Sequence, residues 1–227
     1  MFQDQIQMIQ SITPFLLEGL WLTFRITIIG IVVGSLIGLV LGTFRSLRIP
    51  GLTALIGLYI HLFRGSPFLV QLYIFYYLLP ELGVAWLQFD SMQAAVITLC
   101  LYTGSYVTEI VNSAIAALPK GQDEAARAVG MTKAQSLWYV VLPQALRMII
   151  PPMSGVFVII IKSTAILSVV GLSELTRQGQ IASLRFPGDL MLIYVCVAAL
   201  YFVYCYPVLK FADWAEKRIG GVTLKMR

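Results

Sequence analysis

Five long apolar runs constrain this chain more than any other feature. Residues 16–44, 52–79, 92–118, 148–172 and 190–211 each supply the roughly 20 apolar residues that a helix needs to cross a bilayer of about 30 Å. In lipid every backbone N–H and C=O must find its partner within the segment, so such runs are helical. The expectation is an all-α polytopic membrane protein with five transmembrane helices, forming a single domain over residues 1–227. Composition agrees, because only 12% of residues are charged where a soluble domain carries about 25%.

Orientation follows from the basic residues between the runs, which stay on the cytoplasmic side. With the N-terminus outside, the inner segments hold Arg45 and Arg48, the four cations of 118–147 and five more from Lys210 onward. The outer segments hold only Arg177 and Arg185. That predicts N-terminus out and C-terminus in. The net charge of +5 is thus a topology signal; its scatter between apolar runs argues against a nucleic-acid face. Residues 1–24 contain no Lys or Arg, so the first run reads as a retained span and not a cleaved signal peptide. Cys100, Cys196 and Cys205 lie inside apolar runs without paired spacing and read as small hydrophobes.

Within the first run, Gly30, Gly34, Gly38 and Gly42 recur every four residues and form a face without side chains, suited to close helix packing inside the chain or against another subunit. The second run is interrupted by Arg64, Gly65 and Pro67. If that helix is straight, Arg64 is buried near mid-membrane and marks a site; if residues 52–58 lie along the interface, it is an inner-surface anchor. His61, the only histidine, reads as structural. The third run places Thr98, Tyr102, Ser105, Glu109 and Asn112 at spacings of three and four. Hydroxyls there serve helix contacts, but a carboxylate wants a cation or water, so Glu109 points to a water-accessible pathway. The fourth run carries Lys162, Ser163 and Thr164 in its middle, and Glu109 is the intramolecular candidate to pair with Lys162. The outer loop 173–189 reads as a solvated connection, Pro207 as a kink in the fifth run, and 213–227 as an amphipathic basic tail on the inner lipid surface.

Residues 118–147 differ from everything around them. Pro119 and Gly121 end the third span, and the acids of a short helix follow in its first turn, where the dipole favours them. Gly130 is placed to stop that helix, Thr132 to cap a second, and Leu142 and Pro143 to close the second where the chain returns to the membrane. This predicts a helix-turn-helix knob in the cytoplasm. No GxxxxGK[ST] phosphate loop, HExxH helix, Ser/His/Asp arrangement or Cys/His metal cluster occurs, so no catalytic or metal site is expected and the chain cannot hydrolyse a nucleotide alone.

EAARAVG followed by LPQA resembles the signature loop of the membrane subunits of bacterial ABC importers, through Glu124, Ala125, Ala126, Gly130, Leu142 and Pro143. RGSPFLVQL at 64–72, KGQDEAARAVGMT at 120–132 and VVGLSELTRQ at 169–178 look like the polar amino-acid branch, and the resemblance spans essentially the whole chain. It implies a bacterial inner-membrane permease subunit working with a cytoplasmic ATPase dimer that binds ATP and Mg, a second permease subunit, identical or paralogous, and an extracytoplasmic amino-acid-binding protein. No cofactor is then expected on this chain. Glu124, Arg127 and Lys133 become contacts to the ATPase, with Ala125 and Ala126 allowing close approach and Gly130 setting the angle of the knob. Members of this branch often carry an Arg at the position of Asn112 and an Asp or Glu at that of Ser163. Both charges are missing here, which leaves Lys162 and Glu109 to set the charge of the pathway, with Arg64, Tyr102, Ser105, Asn112 and Ser163 as further candidates to line it. The cargo implied is glutamate, glutamine, a basic amino acid, cystine or an opine-like derivative. The rival expectation, a self-contained channel or ion-coupled carrier, would call for an inverted repeat, and none is visible.

Overall fold

The computed structural model describes residues 2–219. Among the described residues, four helices are long and apolar enough to cross a membrane: α1 (Phe2–Ser46), α4 (Ser91–Ala117), α6 (Lys133–Val170) and α8 (Leu190–Ile219). The fifth expected span, residues 52–79, is instead a broken pair, α2 (Pro50–Gly65) and α3 (Phe68–Glu81), whose axes bend by 108°. Proline explains the break. Pro67 has no N–H to continue the ladder and drives Ser66 out of the helical region, to φ −121° and ψ 151°. Gln71 then pins the corner: its Nε2 donates to the Phe63 and Ser66 carbonyls, at 2.8 and 3.0 Å. At about 24 and 21 Å neither piece alone matches the hydrocarbon thickness. Arg64 therefore sits in the last turn of α2 at the corner, and the straight-helix placement does not hold.

The glycine face of α1 is an internal seam. A Cβ on Gly30, Gly34, Gly38 or Gly42 would come within 2.4–2.7 Å of Leu99, Thr103, Val107 or Val111 on α4, and from Gly34 onward it would also meet an α4 backbone carbonyl, so the helices pack closely along this face. Tyr59 of α2 adds a third contact, donating its hydroxyl proton to the Leu101 carbonyl beside Gly104. Around this pair lies the core of Ile26, Phe68, Leu72, Leu99, Ile160 and Leu167.

α1 is longer than its apolar run. At 45 residues it measures about 67 Å, more than twice the bilayer core. Its first turns present Met8, Ile12 and Leu16 to Leu175, Ala182, Ile193 and Val197. Those partners belong to α7 (Leu175–Arg185) and α8, so the loop 173–189 is not the solvated connection its charge suggested. Glu174 caps α7 with its carboxylate fully buried, accepting from the Thr176 and Arg177 N–H groups at 2.9 and 2.7 Å and from the Tyr201 hydroxyl at 3.0 Å. Burial pushes its pKa up to about 6. Leu175 N–H donates to Thr23 Oγ1 of α1 at 3.2 Å, and Gly19 lets the two backbones meet.

α6 corrects a second expectation, since Leu142 and Pro143 do not close a helix. Immediately before them the ladder widens into a π turn over Leu137–Val141, with Leu142 N–H reaching back five residues to the Leu137 carbonyl. That turn absorbs the proline, and the helix runs on to Val170, where Gly171 stops it at φ 82°. The same device precedes Leu79–Pro80 in α3, with a π turn over Ile74–Leu78. Pro207 lies inside α8, which continues to Ile219; the rest of the expected basic tail, 220–227, lies outside the described residues. Cys100 and Cys205 are buried, Cys196 is half-buried, and all three are free.

Candidate coupling knob and polar cleft

α5 (Gly121–Ala128) and the start of α6 form the knob, joined by a four-residue turn. Gly130 has φ +92°, a conformation that glycine reaches without the steric cost of a side chain, and Met131 N–H closes on the Ala126 carbonyl at 3.2 Å. Thr132 caps α6 in a reciprocal box with Gln135, through bonds of 2.8 and 3.2 Å. Both turn residues thus act as their chemistry predicts.

The two alanines face different ways. Ala126 is buried, whereas Ala125 is exposed together with Glu124, Arg127 and Val129. Lys133 reaches toward α1, its Nζ donating to the Leu47 carbonyl just past the end of that helix, at 3.1 Å. Leu142 is buried and Pro143 exposed. Two contacts invisible in the sequence stiffen the knob: Ser136 Oγ donates to Asp123 Oδ1 at 2.6 Å, and Gln144 Nε2 to Gln122 Oε1 at 3.1 Å. The π turn leaves Trp138 and Tyr139 exposed, at 58% and 74%. Adjacent aromatic rings left open beside a charged face are a common mark of a protein contact.

Glu109 does not pair with Lys162. It forms an ion pair with Arg45 of α1, partly buried, where α1, α2 and α4 converge. Arg64 lies over the Tyr106 ring at 5.0 Å, and Tyr106 shares a hydroxyl contact of 3.1 Å with Tyr102, whose ring packs on Phe68. Two clefts share Arg64, Tyr106 and Glu109 as walls. One of about 350 Å³ extends toward Ser113 and Pro152, the other of about 480 Å³ toward Arg45 and His61. His61 Nδ1 also donates to the Gly57 carbonyl one turn earlier at 2.6 Å, consistent with a structural role.

The structure thus gathers Arg64, Tyr102 and Glu109, and separates the other expected lining residues. Ser105 is fully buried with its hydroxyl on the Tyr102 carbonyl at 2.7 Å. Asn112, one turn beyond Glu109, lines a different cleft beside the knob. Lys162 is exposed near Cys205 of α8, while Ser163 bonds the Ile159 carbonyl of its own helix at 2.9 Å. Arg45 and Tyr106 were missed. The signal for Tyr106 was its place one turn after Tyr102; Arg45 lies 64 residues from its partner, beyond any local pattern. Among the described residues no group of His, Cys, Asp and Glu could hold a metal ion.

Comparison with known proteins identifies the family. The family model described as the binding-protein-dependent transport system inner membrane component matches residues 30–221. The L-cystine transport system permease protein TcyB of Bacillus subtilis (strain 168) is 34% identical over 216 residues, covering 95% of this chain and 91% of its own. The glutamine transport system permease protein GlnP of Escherichia coli (strain K12) is 38% identical over 169 residues, 74% of this chain and 76% of its own. Among solved structures, the crystal structure of an amino acid ABC transporter with histidines superposes with a TM-score of 0.84 at 33% identity, covering 94% of this chain and 97% of that one. The chain carries the translocation path of an ABC importer and not its ATPase: it belongs to the family of binding-protein-dependent transport system inner membrane components.

Proposed function

We propose that this chain is the membrane subunit of an importer for an amino acid or a close derivative. The carrying observation is the cleft where Arg64 and Glu109 present opposite charges beside the Tyr106 ring. A zwitterion carries both charges at fixed separation, and an aromatic wall accepts its aliphatic part. The cystine and glutamine permeases among its relatives support the cargo class. Tyr102 backs this wall, Asn112 lies apart from it beside the knob, and Lys162 and Ser163 reach the passage only through the assembled dimer.

The knob is the drive element. Glu124, Ala125, Arg127 and Val129 form its exposed face and dock on a cytoplasmic ATPase that binds ATP and Mg, with the N-terminus of this chain outside and the C-terminus inside. Gly130, Ala126, Lys133, Leu142 and Pro143 hold that face at a fixed angle to α6. A second permease subunit completes the pathway, and an extracytoplasmic binding protein delivers the cargo.

The test is ATPase stimulation of the reconstituted complex by a panel of amino acids with their binding protein, with uptake measured after Glu109→Gln and Lys162→Met. Loss of uptake in the first variant supports the cleft. Normal transport in both removes these residues from the pathway, and movement of cargo by the purified chain alone overturns the coupling.

A further inference from the structure

Another polar cleft, of about 310 Å³, opens between the end of α1, the end of α4 and the knob. Three cations line it, Arg48, Lys120 and Lys133, against one carboxylate, Asp123, which is already engaged by Ser136. Asn112 and Ser46 add neutral polar groups to its walls, and Leu137 and Val141 give it an apolar side. Cations beside an apolar wall match an amphiphile with an anionic head.

Arg48 carries the second observation. It is the sole non-glycine residue with positive φ among the described residues, at 57°. It occupies the turn that ends α1, where its N–H bonds the Arg45 carbonyl at 3.1 Å. Glycine or asparagine fills such a position with less strain, so the backbone gains nothing from an arginine there. The strained residue nonetheless lines the cleft. Lys133 is held in place as well, by its bond to the neighbouring Leu47 carbonyl. The exposed knob residues Glu124, Ala125 and Arg127 do not line this cleft.

We infer that the cleft formed by Arg48, Lys120 and Lys133 between α1, α4 and the knob binds a phosphate-bearing anion, supplied in the membrane by an anionic phospholipid headgroup. Basic pockets between spanning helices on the cytoplasmic side recognise such headgroups through charge, while the apolar wall accepts the glycerol and upper acyl carbons. The lipid as source rests on the inward orientation proposed above; binding measured in detergent does not.

The experiment uses the purified permease–ATPase complex in detergent, titrated by calorimetry with dihexanoyl phosphatidylglycerol, dihexanoyl phosphatidylcholine and inorganic phosphate. Phosphatidylglycerol is expected to bind once per permease subunit, at least tenfold tighter than phosphatidylcholine. The Arg48→Asn, Lys120→Gln double variant, whose asparagine suits the left-handed turn, weakens that binding about thirty-fold, or about 2 kcal/mol. Lys120→Arg retains it. Should the double variant fail to assemble, Lys120→Gln alone, at an exposed side chain, gives about a five-fold loss. Inorganic phosphate binding as tightly as phosphatidylglycerol keeps the anion site and rejects the lipid as its source. Equal binding of the two lipids, or phosphatidylglycerol binding unchanged in the charge-removing variants, overturns the site.

Discussion

The α1–α4 seam makes a prediction that separates side-chain crowding from backbone crowding. A methyl placed on Gly30 meets Leu99 Cδ2 at 2.7 Å and Cγ at 2.9 Å, while Leu99 Cβ stays at 3.6 Å. Carbon pairs prefer about 3.5–4.0 Å, so Leu99 must retreat by nearly an ångström or leave its rotamer. Gly30→Ala therefore costs about 1–3 kcal/mol by overpacking, offset by up to about 1 kcal/mol of helix propensity. Leu99→Ala removes a fully buried side chain and costs about 2–5 kcal/mol. In the double variant the offending carbons are gone and the new methyl fills part of the cavity. It should be no less stable than Leu99→Ala alone, with a coupling of about 1–3 kcal/mol. Gly38→Ala behaves differently, because its methyl meets Val107 Cβ at 2.4 Å and the Gly104 carbonyl oxygen at 2.9 Å. Val107→Ala removes only the third contact, Cγ1 at 2.6 Å, and leaves these two in place, so its rescue is smaller than that of Leu99→Ala. Thermal unfolding of the purified complex, followed by tryptophan fluorescence, ranks the variants. Additive effects at Gly30 and Leu99, or equal rescue at Gly38 and Val107, would show that the seam is not packed as described.

Glu174 predicts a pH dependence. Its pKa rises from 4.5 to about 6, so between these values the folded state holds a proton that the unfolded state has released. Stability from this group is full below pH 4.5, declines as pH rises to about 6 and is about 2 kcal/mol lower above that. Glu174→Gln should flatten the melting profile over that window relative to the wild type, and parallel profiles for the two proteins would refute the assignment. For the ion pair, Arg45→Gln or Glu109→Gln should lower uptake at least tenfold while costing about 1 kcal/mol or less in stability, since both side chains are partly solvated. The exchange Arg45→Glu with Glu109→Arg should recover part of the uptake; no recovery would mean that Glu109 acts apart from its partner. Gly130→Pro cannot adopt φ +92° and should abolish transport with the protein still in the membrane, as should Glu124→Lys at the exposed face. Membrane levels by immunoblot distinguish this from a folding defect.

Hydropathy alone disclosed all five apolar stretches, four of them single helices and the fifth a pair that passes only when its two pieces are taken together, because twenty apolar residues admit few alternatives in lipid. The 108° break within the fifth escaped it, since the windows on either side of Pro67 are both apolar and only the Gly-Ser-Pro punctuation marks the corner. The buried position of α7 escaped for the opposite reason. Its charges suggested solvent, yet Leu175, Gly179 and Ala182 recur at helical spacing and are buried, and the acid that looked solvated is its cap. Local turn chemistry read correctly wherever one residue type answers one backbone need, as at Gly130 and Thr132. The partner of Glu109 was not legible, because several cations were available and only the packing of α1 on α4 chooses Arg45.

The reading of Leu142 and Pro143 failed for a more general reason. A proline inside a helix leaves the carbonyl four residues earlier without its donor, and its ring crowds that same carbonyl, so a stop or a kink is the usual outcome. Widening the preceding turn is a third outcome: the Leu142 N–H reaches back to Leu137, and the extra residue makes room for the ring. The helix therefore passes the proline without ending, and the knob and the fourth span share one 38-residue element, Lys133–Val170. A hinge at Pro143 would let the knob move while the span stayed still. A continuous helix, tied to α5 through Ser136 and Asp123 and to the end of α1 through Lys133, would under the proposed coupling pass displacement of the knob to the residues beside the Arg64–Glu109 cleft, Met148 and Pro152 among them. The residue pair expected to terminate the coupling element is thus what the proposed coupling needs to leave it intact.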